Sequence, residues 1–229
     1  MRSMKLKYLI CNHKNKLTYD EVKQYINELK KIDTSKVNFV ICPSTIYLPL
    51  FSDYTLGSQD VSAYSDCVTG EITAEQLKSL GVSYVLIGHA ERRGYLKEDK
   101  KVLKAKIEQA NLNHLKVVYC ISEEEKNFND AKRKIKKELL WMKKYLTEDT
   151  LIAYEPKWAI GKDIELDIDY ISKILSFIKS LMNQDVLYGG SVNEKTIDSI
   201  LMVKNLSGFL LSNSALNLNV LQNVMNKIS

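Results

Sequence analysis

Long apolar runs are missing from this chain of 229 residues, and none approaches the ~18 needed to cross a bilayer. The opening stretch, Met1-Arg-Ser-Met4-Lys-Leu-Lys, lacks the apolar segment and cleavage site of a secretory leader, and Met4 offers a second starting residue. Cysteine is scarce. Its four copies (Cys11, Cys42, Cys67, Cys120) have no metal-ligand spacing, and three of them close apolar runs, so buried thiols in a reducing cytoplasm are expected. No second His or Cys stands at ligand spacing, so neither a metal nor another cofactor is expected. With three prolines and no low-complexity tract, nothing marks a linker, and residues 1–229 are read as one domain.

The balance that remains is globular, with 45% hydrophobic and 27% charged residues. Much of the net charge of +5 falls in Lys132-Arg-Lys-Ile-Lys-Lys137 and Lys143-Lys144. Ile135, Leu139 and Met142 recur at helical spacing there, which puts the lysines on the solvated face of an amphipathic helix. No aromatics are interleaved to stack on bases, so no nucleic-acid partner is expected, and no membrane partner either.

Short β-type runs recur at 7–11, 37–42, 56–61, 84–87, 116–120, 151–154, 185–188 and 208–211. Helical stretches follow most of them, clearest at 18–31, 97–111, 123–146, 167–182 and 193–204, with Thr18 and Glu21 forming a capping-box start. Near-continuous apolar strands alternating with helices argue for a parallel sheet covered on both faces. Eight such units suggest a closed (β/α)8 barrel, an α/β fold of usual size ~250 residues. The rival is an open doubly wound sheet, which usually carries a glycine-rich turn after its first strand; here Asn12-His-Lys-Asn-Lys16 stands instead.

In a parallel barrel the carboxyl ends of the strands open at one mouth. Read that way, strand one delivers Asn12 and Lys14, strand four His89, strand six Glu155, strand seven Gly189-Gly190-Ser191, and strand eight Ser212-Asn213-Ser214. A base, a group able to polarise a carbonyl, a cation and small residues with open amides suggest proton abstraction next to a carbonyl in a phosphorylated substrate. Each residue alone has a plainer reading. Glu155 fits a rim ion pair equally well, and His89 beside Glu91 fits a hydrogen-bonded structural histidine. Gly189-Gly190 fits a turn, and Trp158 fits packing. His13 and His114 are read as structural or surface residues. Only the joint placement favours chemistry.

Five motifs carry a resemblance. Ala153-Tyr-Glu-Pro-Lys-Trp-Ala-Ile-Gly161, Ile87-Gly-His-Ala-Glu-Arg-Arg93, Val68-Thr-Gly-Glu71, Tyr188-Gly-Gly-Ser-Val192 and Asn12-His-Lys14 resemble, in order, those of the triosephosphate isomerase family. The resemblance implies interconversion of D-glyceraldehyde 3-phosphate and dihydroxyacetone phosphate in glycolysis and gluconeogenesis. It makes Glu155 the proton shuttle and His89 a neutral hydrogen-bond donor. Lys14 balances negative charge with Asn12 beside it, and Glu91 supports Lys14. It puts a lid at 156–163, with the Gly161 amide, Ser191, Ser212 and Asn213 on the phosphate and Tyr188 with Ser191 latching the closed lid. It also implies a homodimer in which Thr69, Gly70 and Glu71 reach the partner.

The chain departs from the family pattern at several positions. Ser212-Asn213 replaces a usual Gly-Gly, Lys162-Asp163-Ile164 a usual Thr-Gly-Lys, Ala90 a usual Ser, and His13 a usual Trp. The expectation is retained chemistry with weaker phosphate affinity. Two alternatives stay open: a barrel that has lost useful turnover and serves as a binding or surface-interaction protein, and another phosphosugar isomerase.

Overall fold

The computed structural model describes residues 8–66, 68–159 and 166–228. Cys67, Gly161 and the hinge residues Lys162, Asp163 and Ile164 lie outside them.

Eight parallel strands close into a barrel in sequence order: β1 (Tyr8–Asn12), β2 (Asn38–Cys42), β3 (Thr55–Ser58), β4 (Tyr84–Ile87), β5 (Lys116–Glu123), β6 (Leu151–Pro156), β7 (Asp185–Tyr188) and β8 (Gly208–Leu211). β8 returns to pair with β1, Tyr8 opposite Gly208, which leaves no sheet edge. Around it run helices α1 (Tyr19–Leu29), α2 (Ala74–Ser79), α3 (Ala90–Tyr95), α4 (Lys100–Leu112), α5 (Phe128–Met142), α6 (Ile168–Leu181), α7 (Ile197–Leu201), α8 (Asn213–Leu216) and α9 (Leu218–Ile228). The unit after β2 is an exception, a 3-10 turn over Thr45–Phe51. Among the described residues no helix is long and apolar enough to cross a membrane.

Side chains alternate across a strand, and this period sorts the apolar residues into two cores. Leu9, Cys11, Ile152, Tyr154, Val186 and Tyr188 face outward to pack beneath the helices. Ile10, Val40, Leu86, Val118, Leu151, Ala153, Leu187 and Leu210 fill the barrel interior. One further step along the inward set reaches Asn12 on β1, Glu155 on β6, Gly189 beyond β7 and Ser212 beyond β8. The alternation that builds the core therefore also aims the polar residues at the mouth.

Several boundaries differ from expectation. Strand β3 ends at Ser58 rather than 61, because the Gln59 amide turns aside to donate to the Lys14 carbonyl at 2.6 Å. Helix α4 begins after Asp99, whose carboxylate accepts from the Lys101 and Val102 amides, while Lys97 has φ 56°, outside the helical region. The 193–204 segment is helical only at Ile197–Leu201. The largest change is at 123. Glu123 ends β5 instead of starting a helix, and α5 begins at Phe128 with Asn127 as its cap. Thr18 does cap α1, its amide donating to Glu21 at 2.8 Å. Cys11, Cys42 and Cys120 are free, buried thiols.

Candidate active site

A cavity of about 360 Å³ opens at the carboxyl ends of the strands, lined by Lys14, His89, Glu155, Ser191, Ser212 and Asn213 among others. Glu155 and His89 are both buried, and the His89 Nε2 lies 3.1 Å from a Glu155 carboxylate oxygen. Glycine at 189 is required by Glu155: a Cβ there would stand 2.8 Å from the Glu155 Cγ.

His89 caps α3. Its Nδ1 accepts from the Glu91 amide at 3.3 Å, which assigns the ring proton to Nε2, the nitrogen facing the cavity. Gly88 turns the chain into this cap with φ 81°, and the Arg93 guanidinium occupies the space a side chain would need. Arg93 fastens the turn to β5, donating to Gly88 O at 2.5 Å, Cys120 O at 2.8 Å and Glu138 at 2.6 Å.

Burial alone would lower the pKa of His89, but the adjoining Glu155 carboxylate and then Glu91 outweigh it, so the net direction is upward from 6.5. Two neighbours of the ring pull in opposite directions. An anionic carboxylate in contact favours imidazolium, while the Glu91 amide favours the neutral ring.

Lys14 adopts φ 53°, unusual for a residue with a side chain. Three bonds fix it there. Its amide donates to Asn12 Oδ1 at 2.9 Å, and its carbonyl accepts from Ser44 Oγ at 3.0 Å and Gln59 Nε2 at 2.6 Å. The Lys14 ammonium meets Glu91 at 2.6 Å. Asn12, buried, braces this loop from below and does not line the cavity. Tyr188 lies under Gly190, its buried hydroxyl without a hydrogen-bond partner among the described residues. Thr69, Gly70 and Glu71 are exposed and stand apart from this chain's own cavity.

Other polar residues at the mouth carry no sequence signal of their own. Glu123, buried on β5, accepts through one oxygen from Tyr154 OH at 2.5 Å, Trp158 Nε1 at 2.8 Å and Tyr170 OH at 2.8 Å. Trp158 is thus both packed and hydrogen-bonded. Behind α3, the buried Lys106 ammonium bridges Asp60 and Glu98, each at 2.6 Å, and Arg92 reaches the same two carboxylates. His13 sits edge-on to Tyr25, ring centroids 4.6 Å apart, and burial pulls its pKa down to about 4. Lys157 lines the cavity while paired to Glu124 at 2.5 Å.

Fold and site together define a (β/α)8 barrel with an acid–base centre at its carboxyl-end mouth. A family model described as "Triosephosphate isomerase" matches residues 7–228. The chain is 35% identical to the triosephosphate isomerase of Buchnera aphidicola subsp. Baizongia pistaciae, an alignment covering 97% of this chain and 99% of that one. It is 36% identical to the enzyme of that name from Campylobacter jejuni subsp. jejuni, covering 91% and 92%. With the Mycoplasma mobile enzyme it shares 32% identity over 93% and 96%. The chain belongs to the triosephosphate isomerase family, and it is an isomerase.

Proposed function

We propose that this chain interconverts D-glyceraldehyde 3-phosphate and dihydroxyacetone phosphate by moving one proton between adjacent carbons. The observation that carries the reading is the convergence of Glu155, His89 and Lys14 on one cavity. The Glu155 carboxylate removes the proton from the carbon beside the carbonyl. The His89 Nε2–H donates to the carbonyl oxygen as it gains charge, and the Lys14 ammonium offsets the charge of the enediolate and phosphate. Glu155 then returns the proton to the neighbouring carbon.

The contact between Glu155 and His89 bears on the middle of this sequence. Once Glu155 has taken the proton it is neutral, and the support it gives to imidazolium is gone. Burial and Lys14 then lower the His89 pKa, while Glu91 and the charge of the enediolate raise it. The exchange is completed when the hydroxyl proton of the enediolate crosses to the former carbonyl oxygen by way of His89 Nε2, so that one proton has moved between the carbons and one between the oxygens.

Gly189, Gly190, Ser191, Ser212 and Asn213 form the side of the cavity assigned to the phosphate. Family likeness adds the Gly161 amide, a lid over 156–163 and a cytoplasmic setting. Likeness also implies a homodimer through Thr69, Gly70 and Glu71. Exposed apolar residues on the loops after β2, β3 and β4, namely Ile46, Tyr64, Val68, Tyr95 and Leu96, support it, since burial in an interface would remove them from water. The protein is read as a single barrel domain.

The test is turnover of glyceraldehyde 3-phosphate, with dihydroxyacetone phosphate formation coupled to NADH oxidation, beside the Glu155→Asp variant. Fast turnover that drops by about a hundredfold or more in the variant supports the reading. Absence of turnover in a folded wild-type dimer sinks it.

A further inference from the structure

The replacement of a paired glycine by Ser212-Asn213 has a counterpart on the other side of the closure between β8 and β1. The Lys16 ammonium donates to the Asn213 side-chain carbonyl at 2.6 Å, joining residues 197 apart in sequence. Asn213 lines the active-site cavity beside Ser212 and Ser191, and this bond ties to it the ammonium of Lys16, an exposed residue just outside that lining. The loop that carries Lys16 is fixed two residues earlier, at Lys14, by the three bonds described above.

The partner's chemistry matters. Lys14 meets the carboxylate of Glu91 and Lys157 that of Glu124, so each has its charge countered nearby. Lys16 meets a neutral amide, which orients one N–H and leaves the positive charge uncompensated by that contact. An ammonium has three donors, and the Asn213 oxygen takes one of them. Asn213 cannot recognise an anion with that oxygen, but it can hold a cation that does.

Resting on the reading above, we propose that Lys16 is a substrate-binding residue for the phosphate group, held at the cavity rim by the Asn213 side chain. The pair adds a side-chain cation to the backbone amides of residues 212 and 213, which serine and asparagine retain. Phosphate recognition is thereby carried partly by a side-chain cation, with a stronger dependence on ionic strength. The ligand class is a phosphate dianion on a small substrate, and inorganic phosphate is the simplest probe.

The test measures Lys16→Met, which keeps length and loses charge, in the wild-type and in the Asn213→Gly background. In the wild-type background the KM for glyceraldehyde 3-phosphate and the inhibition constant of inorganic phosphate should both rise about tenfold, with kcat within about twofold. In the Asn213→Gly background the same substitution should change them by less than about threefold, because the tether is already gone. Stabilisation against heat by inorganic phosphate should fall in Lys16→Met, a readout that needs no turnover. An inactive wild type that is still stabilised by phosphate through Lys16 would remove the isomerase reading and keep this one. Unchanged KM and phosphate protection in Lys16→Met overturn it, and so does an equal effect in both backgrounds, which would deny Asn213 its role.

Discussion

Glu123 and Glu155 are both buried carboxylates at the carboxyl ends of neighbouring strands, and Glu155 lies opposite Ser122 in the ladder, one residue from Glu123. Their surroundings differ. Glu123 gathers three donors from Tyr154, Trp158 and Tyr170 on one oxygen. Glu155 has only the His89 ring at 3.1 Å and the weakly donating Cys120 thiol beside it, and in each carboxylate the second oxygen has no hydrogen-bond partner among the described residues. A carboxylate that accepts from three donors is held as structure, because moving it would strand three polar groups. One with a single strong partner can move at the cost of that contact alone. Burial does not separate a base from a brace; the donor count does.

Substitutions can break this contrast. Glu155→Gln should lower kcat by about a thousandfold or more while leaving the melting temperature unchanged or raised. Glu123→Ala should do the reverse, destabilising by about 3 kcal/mol and lowering the melting temperature by roughly 6–12 °C, with kcat reduced less than about tenfold. If Glu123→Ala loses activity as steeply as Glu155→Gln at unchanged stability, the division of labour is wrong.

His13 tests a third kind of burial, a titratable ring with no hydrogen-bond partner at either nitrogen among the described residues. Its folded pKa, about 4, lies below the unfolded 6.5, so the unfolded chain binds the extra proton first. Stability from this residue is complete above pH 6.5 and is lost as pH falls toward 4, by about 3 kcal/mol at most. His13→Phe, which keeps a ring against Tyr25 and Phe51, should flatten the fall in urea midpoint over that window. The smallest effect sharpens the Glu155 side alone. Gly189→Ala puts a methyl against the Glu155 Cγ and should lower kcat about tenfold, with a loss of about 1–3 kcal/mol in stability.

Much of the fold was legible because strand residues buried on both faces read as continuous apolar runs, and six of the eight ended within two residues of the expected position. The errors have one physical root. Glu123 begins the charged run Glu123-Glu124-Glu125, which has the composition of a solvated helix start, and only its distant donors make it a strand residue. Asp60, Glu98 and Lys106 are ordinary surface residues in sequence, and their buried cluster depends on a Lys106–Asp60 contact across 46 residues. His89, Glu155 and Lys14 were legible as a set because a parallel barrel brings strand ends together. The tie between Lys16 and Asn213 was not, since nothing local distinguishes a lysine that reaches across the β8–β1 closure.

The Glu123 knot also bears on how the chain folds. Its three donors arrive 31, 35 and 47 residues later in the sequence, on β6, just beyond it, and on α6. A nascent or truncated chain ending before residue 151 holds this carboxylate without any of them. Burying the end of β5 is then opposed until the next unit has docked, so the fifth and sixth units should form together rather than in turn. The base on β6 would thus reach its working position in the same step that satisfies Glu123, making completion of the catalytic mouth a late and cooperative event.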